Sequence, residues 1–182
     1  EIFTVKQGIR TGDRVFILSQ NEYDKIPENE KKYYKRVIGN DSIKYGHLKT
    51  KNYVWFPYSE NEQIFNNEED FKIRAPFSYE RLFEFKNRLI NRARKSENNW
   101  WHLSEHRAWL RENTQRLFST EFGNSDSFAF DESGDLVVER GNGWIPKKKF
   151  ELDDYYFYLA ILSSSIFNNL LAIYSKPILS GY

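Results

Sequence analysis

The run from Tyr155 to Tyr174 constrains this chain more than any other feature, because it is apolar on almost every side of a helix. A helix without a polar face has to be covered by its own fold or by lipid. Ser163, Ser164, Ser165, Asn168 and Asn169 interrupt the run, so it lacks the unbroken apolar length of a membrane span. The pattern predicts a buried last helix that starts near Asp153 or Asp154, continues to about Ser175 and stops at Pro177. With no cysteine among 182 residues, the core must come from packing, without disulfides or thiolate metal sites. No basic-then-apolar signal pattern opens the chain. Glu1 begins within a strand-like apolar run and methionine is absent throughout, which reads as a piece of a longer chain, cut at both ends.

The rest of the chain alternates irregularly between strand and helix patterns. Residues 2–5, 14–19 and 51–58 read as strands, the last ending at Pro57. Gly8 and Gly12 mark a tight turn between the first two. The clearest helix covers residues 79–95, with Ser78 as its N-cap just after Pro76. Tyr79, Leu82, Phe83, Leu89, Ile90 and Ala93 share one face of it, and Arg81, Arg88, Arg92 and Lys95 fall off that face. Residues 60–70 form an acidic, Asn-rich loop or insertion, and a short helix is expected over 104–113. Residues 127–130 and 136–139 look like the arms of a hairpin. Elements mixed in this way predict an α+β fold: a mixed or antiparallel sheet with a basic amphipathic helix and a buried C-terminal helix.

Charge is abundant but nearly balanced, 27 basic against 26 acidic residues. Its distribution is uneven. Arg81, Lys86, Arg88, Arg92, Arg94, Lys95, Arg107, Arg111 and Arg116 face only four glutamates in the same stretch, while residues 60–70 and 121–139 are acidic. Segregation of this kind permits a basic face on a nearly neutral protein, and the expectation is one basic surface shaped for a double helix.

The sequence carries no phosphate-binding glycine loop, no glycine-flanked serine, no Asn/Asp-Pro-Pro-Tyr and no glycine-rich cofactor loop. His102 and His106 lie four apart, but nothing nearby supplies a third zinc ligand, so they read as surface or DNA-facing residues. His47 reads as structural. Asp135, Glu139 and Arg140 resemble the spacing of metal-dependent nucleases, yet arginine replaces the usual lysine and cannot act as a base. An acidic hairpin edge is the simpler reading, and 131–135 is a turn rather than a calcium loop. Lys147, Lys148 and Lys149 follow a Gly-Asn-Gly turn and serve equally well as a solvated loop or as phosphate contacts. Trp100 and Trp101 read as packing residues before base-stacking ones.

Taken in order, several segments resemble the TaqI-like C-terminal specificity domain. They are Gln7-Gly8-Ile9-Arg10-Thr11-Gly12-Asp13-Arg14-Val15-Phe16, the aromatic strand from Tyr53 to Tyr58, and the helix with Arg94 near its end. Trp100-Trp101 with Leu103 and Arg107, Ser127-Phe128-Ala129-Phe130-Asp131, the helix from Tyr158 to Ser164, and Ser180-Gly181-Tyr182 follow. Ser163 stands where that family has Asn, and Ser180-Gly181 where it has Gly-Gly. The resemblance implies a target-recognition domain over residues 1–182. It would serve an adenine-specific DNA methyltransferase or a fused restriction-modification enzyme. Under it the chain holds no catalytic site, metal or cofactor of its own, the parent uses S-adenosylmethionine, and the setting is cytoplasmic phage defence. Its partners would be double-stranded DNA and a methyltransferase domain of the same chain, with no membrane. The implied DNA contacts are Arg10, Thr11, Arg14, Arg107, Arg116, Lys147, Lys148 and Lys149; Arg14 has the alternative of pairing with Asp13 or Glu84. A protein-interaction domain of a phage-defence complex and a metal-dependent nuclease are the competing readings.

Overall fold

A computed structural model of the chain describes residues 1–59, 63–121 and 125–174. The helix stop at Pro177, the Ser180–Tyr182 motif and Glu60–Glu62 of the acidic segment lie outside the described residues. The chain divides into two compact units. The first comprises Glu1–Gly8, Ile38–Thr50 and Asn113–Tyr182, the second Ile9–Val37 and Lys51–Glu112. Among the described residues the strands are β1 (Phe3–Gln7), β2 (Ile17–Ser19), β3 (Tyr34–Ile38), β4 (Ile43–Lys44), β5 (His47–Leu48), β6 (Asn52–Trp55), β7 (Arg116–Ser119), β8 (Phe128–Asp131), β9 (Val137–Val138) and β10 (Asn142–Pro146). The α-helices are α1 (Gln20–Tyr23), α2 (Glu28–Lys31), α3 (Glu68–Arg74), α4 (Pro76–Phe83), α5 (Lys86–Ile90), α6 (Leu152–Leu162) and α7 (Ser165–Tyr174). The fold is α+β, as its irregular element pattern predicts.

In the first unit β1, β10, β7 and β8 form an antiparallel sheet in that order, with Val5 opposite Trp144 and Trp144 opposite Leu117. Leu117, Phe128, Tyr155 and Leu162 are its buried cluster, flanked by Phe3, Phe130, Trp144 and Phe150. β8 pairs with β7 and not with residues 136–139, so the expected hairpin is corrected. Asp131 bends the chain away after β8, its carboxylate accepting hydrogen bonds from Gly134 N at 2.9 Å and Leu136 N at 3.3 Å.

The expected single buried C-terminal helix is corrected on two counts. Ser164 donates its hydroxyl to Ile161 O at 2.7 Å and accepts Phe167 N at 3.2 Å, which closes α6 and opens α7. The two helices are bent by 59° at this break. Only Tyr155 and Leu162 of α6 are buried, and Tyr156, Phe157, Ile161, Ile166, Leu170 and Ile173 are exposed. The sheet is narrow enough to cover one side of α6 and little of α7. No single described helix is long and apolar enough to cross a membrane.

In the second unit β2, β6 and β3 form an antiparallel sheet, Tyr53 lying between Leu18 and Arg36. Its core is aromatic: Phe16, Trp55, Phe65, Phe71, Trp100 and Trp101 are fully buried. Trp55 donates Nε1–H to Trp101 O at 2.9 Å, and Trp100 meets Trp101 edge-on at 5.8 Å. The tryptophan pair therefore packs the interior. Residues 14–19 are not one strand: Asp13 accepts Val15 N at 3.0 Å and winds Arg14–Phe16 into a single 3-10 turn before β2.

The basic helix is also rearranged. It starts at Pro76 and is divided into α4 and α5 around Glu84 and Phe85. Proline suits the first helical position, where its missing N–H has no intrahelical partner to lose. Ser78 is not the cap. The buried carboxylate of Glu30 accepts Phe77 N, Ser78 N and Ser78 Oγ at 3.0, 2.9 and 2.7 Å, so a residue far away in sequence satisfies the free N–H groups of α4. Residues 104–113 contain a 3-10 turn at Ala108–Leu110 rather than an α-helix.

Candidate nucleic-acid interface

The opening turn is the best-defined polar feature of the second unit. Gly12 has φ 74°, and a Cβ there would sit 2.0 Å from Ser104 Oγ and 3.1 Å from Ser104 Cβ, so both conformation and space require glycine. The close approach lets Arg10 and Glu105 exchange backbone hydrogen bonds, each 2.9 Å, while Ser104 N donates to Thr11 O at 3.3 Å. Arg92 locks the assembly from beneath. Its guanidinium donates to Thr11 O at 2.8 Å, Trp100 O at 2.6 Å, His102 O at 2.9 Å and Leu89 O at 3.0 Å. It also lies 4.7 Å from the centre of the Phe16 ring. Burial lowers the Arg92 pKa to about 10, still well above neutrality.

This geometry sorts the expected contacts. Arg10 is 65 % exposed and 3.8 Å from Glu105, which also binds Arg107 at 2.5 Å. Arg14 is exposed, and its side chain makes no hydrogen bond or ion pair among the described residues, so it pairs with neither Asp13 nor Glu84. Asp13 instead binds Arg88 at 2.7 Å. Thr11 is buried and serves the turn through its carbonyl, which corrects its assignment as a contact. Arg107 is half-buried with a left-handed φ of 57°.

Arg116, in the first unit, is corrected too. It is fully buried, its Nε 3.7 Å from Asp131 Oδ2 and its Nη2 donating to Gly134 O. A guanidinium with no exposed surface cannot meet a phosphate. It secures the turn after β8, where burial raises the Asp131 pKa against the opposing pull of Ser133 and Arg116. Lys147, Lys148 and Lys149 are exposed beyond β10; Lys147 meets Glu1, Lys149 meets Glu151 at 2.9 Å, and Lys148 has no partner among the described residues. The other residues of the expected set divide between the units, with Arg10, Arg14 and Arg107 in the second and the lysines in the first.

Most cations of the basic stretch are engaged by protein oxygens. Arg81 donates to Val15 O at 2.7 Å, and Lys86 binds Glu68 and Glu97 at 2.9 and 3.3 Å. With Arg88 and Arg92 engaged as described, Arg94 is the exposed cation left in that helical segment, at a left-handed φ of 61°. The histidines are corrected as well. His102 is buried, and the His106 ring stacks on Tyr58 at 4.2 Å while Tyr58 Oη accepts Leu103 N at 2.9 Å. Burial, reinforced by neighbouring cations, pushes their pKa values down to about 3 and about 4, so both rings are neutral. No group of three His, Asp or Glu among the described residues is placed to hold a metal. His47 is exposed on β5 rather than structural, and no pattern in the sequence distinguished it.

No family model matches this sequence. Over 174 residues the chain is 27 % identical to the type II methyltransferase M.MjaIV of Methanocaldococcus jannaschii, a match covering 93 % of this chain and 57 % of that protein. The chain thus spans little more than half the length of that relative. Its fold is similar to part of the type IIL restriction-modification enzyme MmeI, solved in complex with DNA, with a TM-score of 0.60 and 15 % identity over 92 % of this chain and 21 % of that one. Sequence and fold agree in relating this chain to parts of restriction-modification proteins.

Proposed function

We propose that the chain is the target-recognition part of an adenine-specific DNA methyltransferase or fused restriction-modification enzyme, of the TaqI-like specificity type. The observation that carries the reading is its near end-to-end match to a segment of a type II methyltransferase, a segment that in this chain has no Asn/Asp-Pro-Pro-Tyr. The opening turn supports it, since a glycine-locked scaffold projects Arg10 and Arg14 from a rigid base. A methyltransferase must hold its duplex in register while a base is drawn out of the stack. Arg10, Arg14, Arg107 and Lys147–Lys149 supply cations for phosphates, and loop side chains read base edges. A methyltransferase domain of the same parent chain supplies S-adenosylmethionine and the chemistry, in a cytoplasmic phage-defence setting.

Binding of a labelled random-sequence duplex across a salt series tests this reading. Affinity should fall about tenfold or more from low to physiological salt, as counterions released from the phosphates are replaced. Binding that ignores salt, or no binding at low salt, sinks it. The second reading, a protein-interaction domain, is favoured by the exposed apolar residues of α6 and α7. It predicts capture of a protein partner with no duplex affinity.

A further inference from the structure

The turn between β4 and β5 consists of Tyr45 and Gly46, both left-handed, with φ of 49° and 80°. Two-residue hairpins of this kind favour Asn-Gly, because asparagine tolerates a positive φ and a bulky aromatic residue does not. Tyr45 is nevertheless placed there, and the residue is 74 % exposed. It makes no hydrogen bond or ring contact among the described residues, so internal packing does not account for it. The hairpin is two-faced. Ile43 is buried and lies opposite the half-buried Leu48, whereas Lys44 and its cross-strand partner His47 are exposed, as is Lys49 just beyond. Gly46 bridges to Ala129 of β8, which anchors the tip to the sheet. Beside the tip lies a cleft of about 470 Å³, roomy enough for a nucleoside, lined by Ile43, Lys44 and Tyr45 of the hairpin and by Asn40, Thr120, Asp126 and Ser127.

We propose that this hairpin is a base-capturing finger, in which Tyr45 stacks on a nucleobase displaced from a duplex. The cleft receives the base edge against its polar rim, and Lys44 and Lys49 neutralise the flanking phosphates. An aromatic face accepts any base and works best on one already loosened from its stack. The inference rests on the duplex-binding reading above.

The turn geometry offers a clean test. Tyr45→Asn removes the ring while giving the turn a residue better suited to it, so melting temperature should stay the same or rise. The probes are a random-sequence duplex and the same duplex with one mismatched fluorescent adenine analogue. The parent chain should prefer the mismatched duplex and change the analogue's emission. Tyr45→Asn should bind that duplex about tenfold more weakly and lose the emission change, consistent with removal of one stacked base. Tyr45→Phe should retain both. Equal binding of the mismatched duplex by parent and Tyr45→Asn, or no preference for the mismatch in the parent, overturns the finger alone. Failure of the parent to bind either duplex with salt dependence overturns the duplex reading along with it.

Discussion

Arg81, Lys86, Arg88 and Arg92 in the second unit all meet protein oxygens, whereas Lys44, His47 and Lys49 around the β4–β5 hairpin of the first make no ion pair among the described residues. Both stretches are basic. The difference lies in what the fold brings to each. Residues 11, 100 and 102 converge on Arg92 with three carbonyls that no strand or helix ladder uses, and buried carbonyls need donors. The hairpin is already satisfied by its own backbone ladder and by Ile43 facing inward, which leaves its cations to solvent. Density of positive charge along a chain therefore does not measure a basic surface; the supply of unmatched oxygens decides which cations remain outside.

The sharpest way to break this contrast is Arg92→Leu. If Arg92 is a structural donor, its loss removes the side-chain donor from the buried Trp100 and His102 carbonyls and destabilises the second unit by about 3 kcal/mol, read by denaturant unfolding. A change indistinguishable from zero would mean the guanidinium is dispensable to the fold. Acidification comes next. A histidine whose folded pKa is depressed adds no penalty above its unfolded value near 6.5, and stability drains as pH falls from there toward about 3 for His102. In that window the loss from His102 approaches about 1.4 kcal/mol per pH unit, and His102→Leu should flatten the slope measured by unfolding at several pH values. Arg94→Gly should relieve the left-handed backbone and stabilise the unit by about 1 kcal/mol, while reducing duplex affinity if that cation meets a phosphate. The smallest expected effect on folding is Arg14→Ala, within about 0.5 kcal/mol. Its duplex affinity should fall and its salt dependence become shallower; a large loss of stability instead would class Arg14 with Arg92.

Much of the architecture was readable from local pattern. Irregular alternation of strand and helix signals pointed to α+β, two glycines marked the opening turn, and paired tryptophans marked a core. What escaped was long-range. Ser78 has the composition and position of an N-cap, and only the fold shows Glu30 taking that role. Arg116 sits in a basic stretch, and nothing local reveals that Asp131 and Gly134 enclose it. The apolar run after Asp153 has the periodicity of one helix, because serine hydroxyls that bond backward to carbonyls leave no trace in hydrophobic pattern. Strands as short as β4 and β5 fall below the length at which alternation is visible, although Ile43-Lys44 and His47-Leu48 mirrored about Tyr45-Gly46 is a hairpin signal in its own right.

The contact between Gly12 and Ser104 has a practical corollary for anyone diversifying this turn to test its proposed part in recognition. Gly12 combines a left-handed φ with a close approach to Ser104, and the Thr11 side chain is buried, so replacements at either position should cost stability. Positions 10 and 14 are exposed on the same turn and should tolerate replacement. A library confined to those two positions should keep most members folded, so that differences in duplex binding among them would report on the proposed contacts rather than on folding.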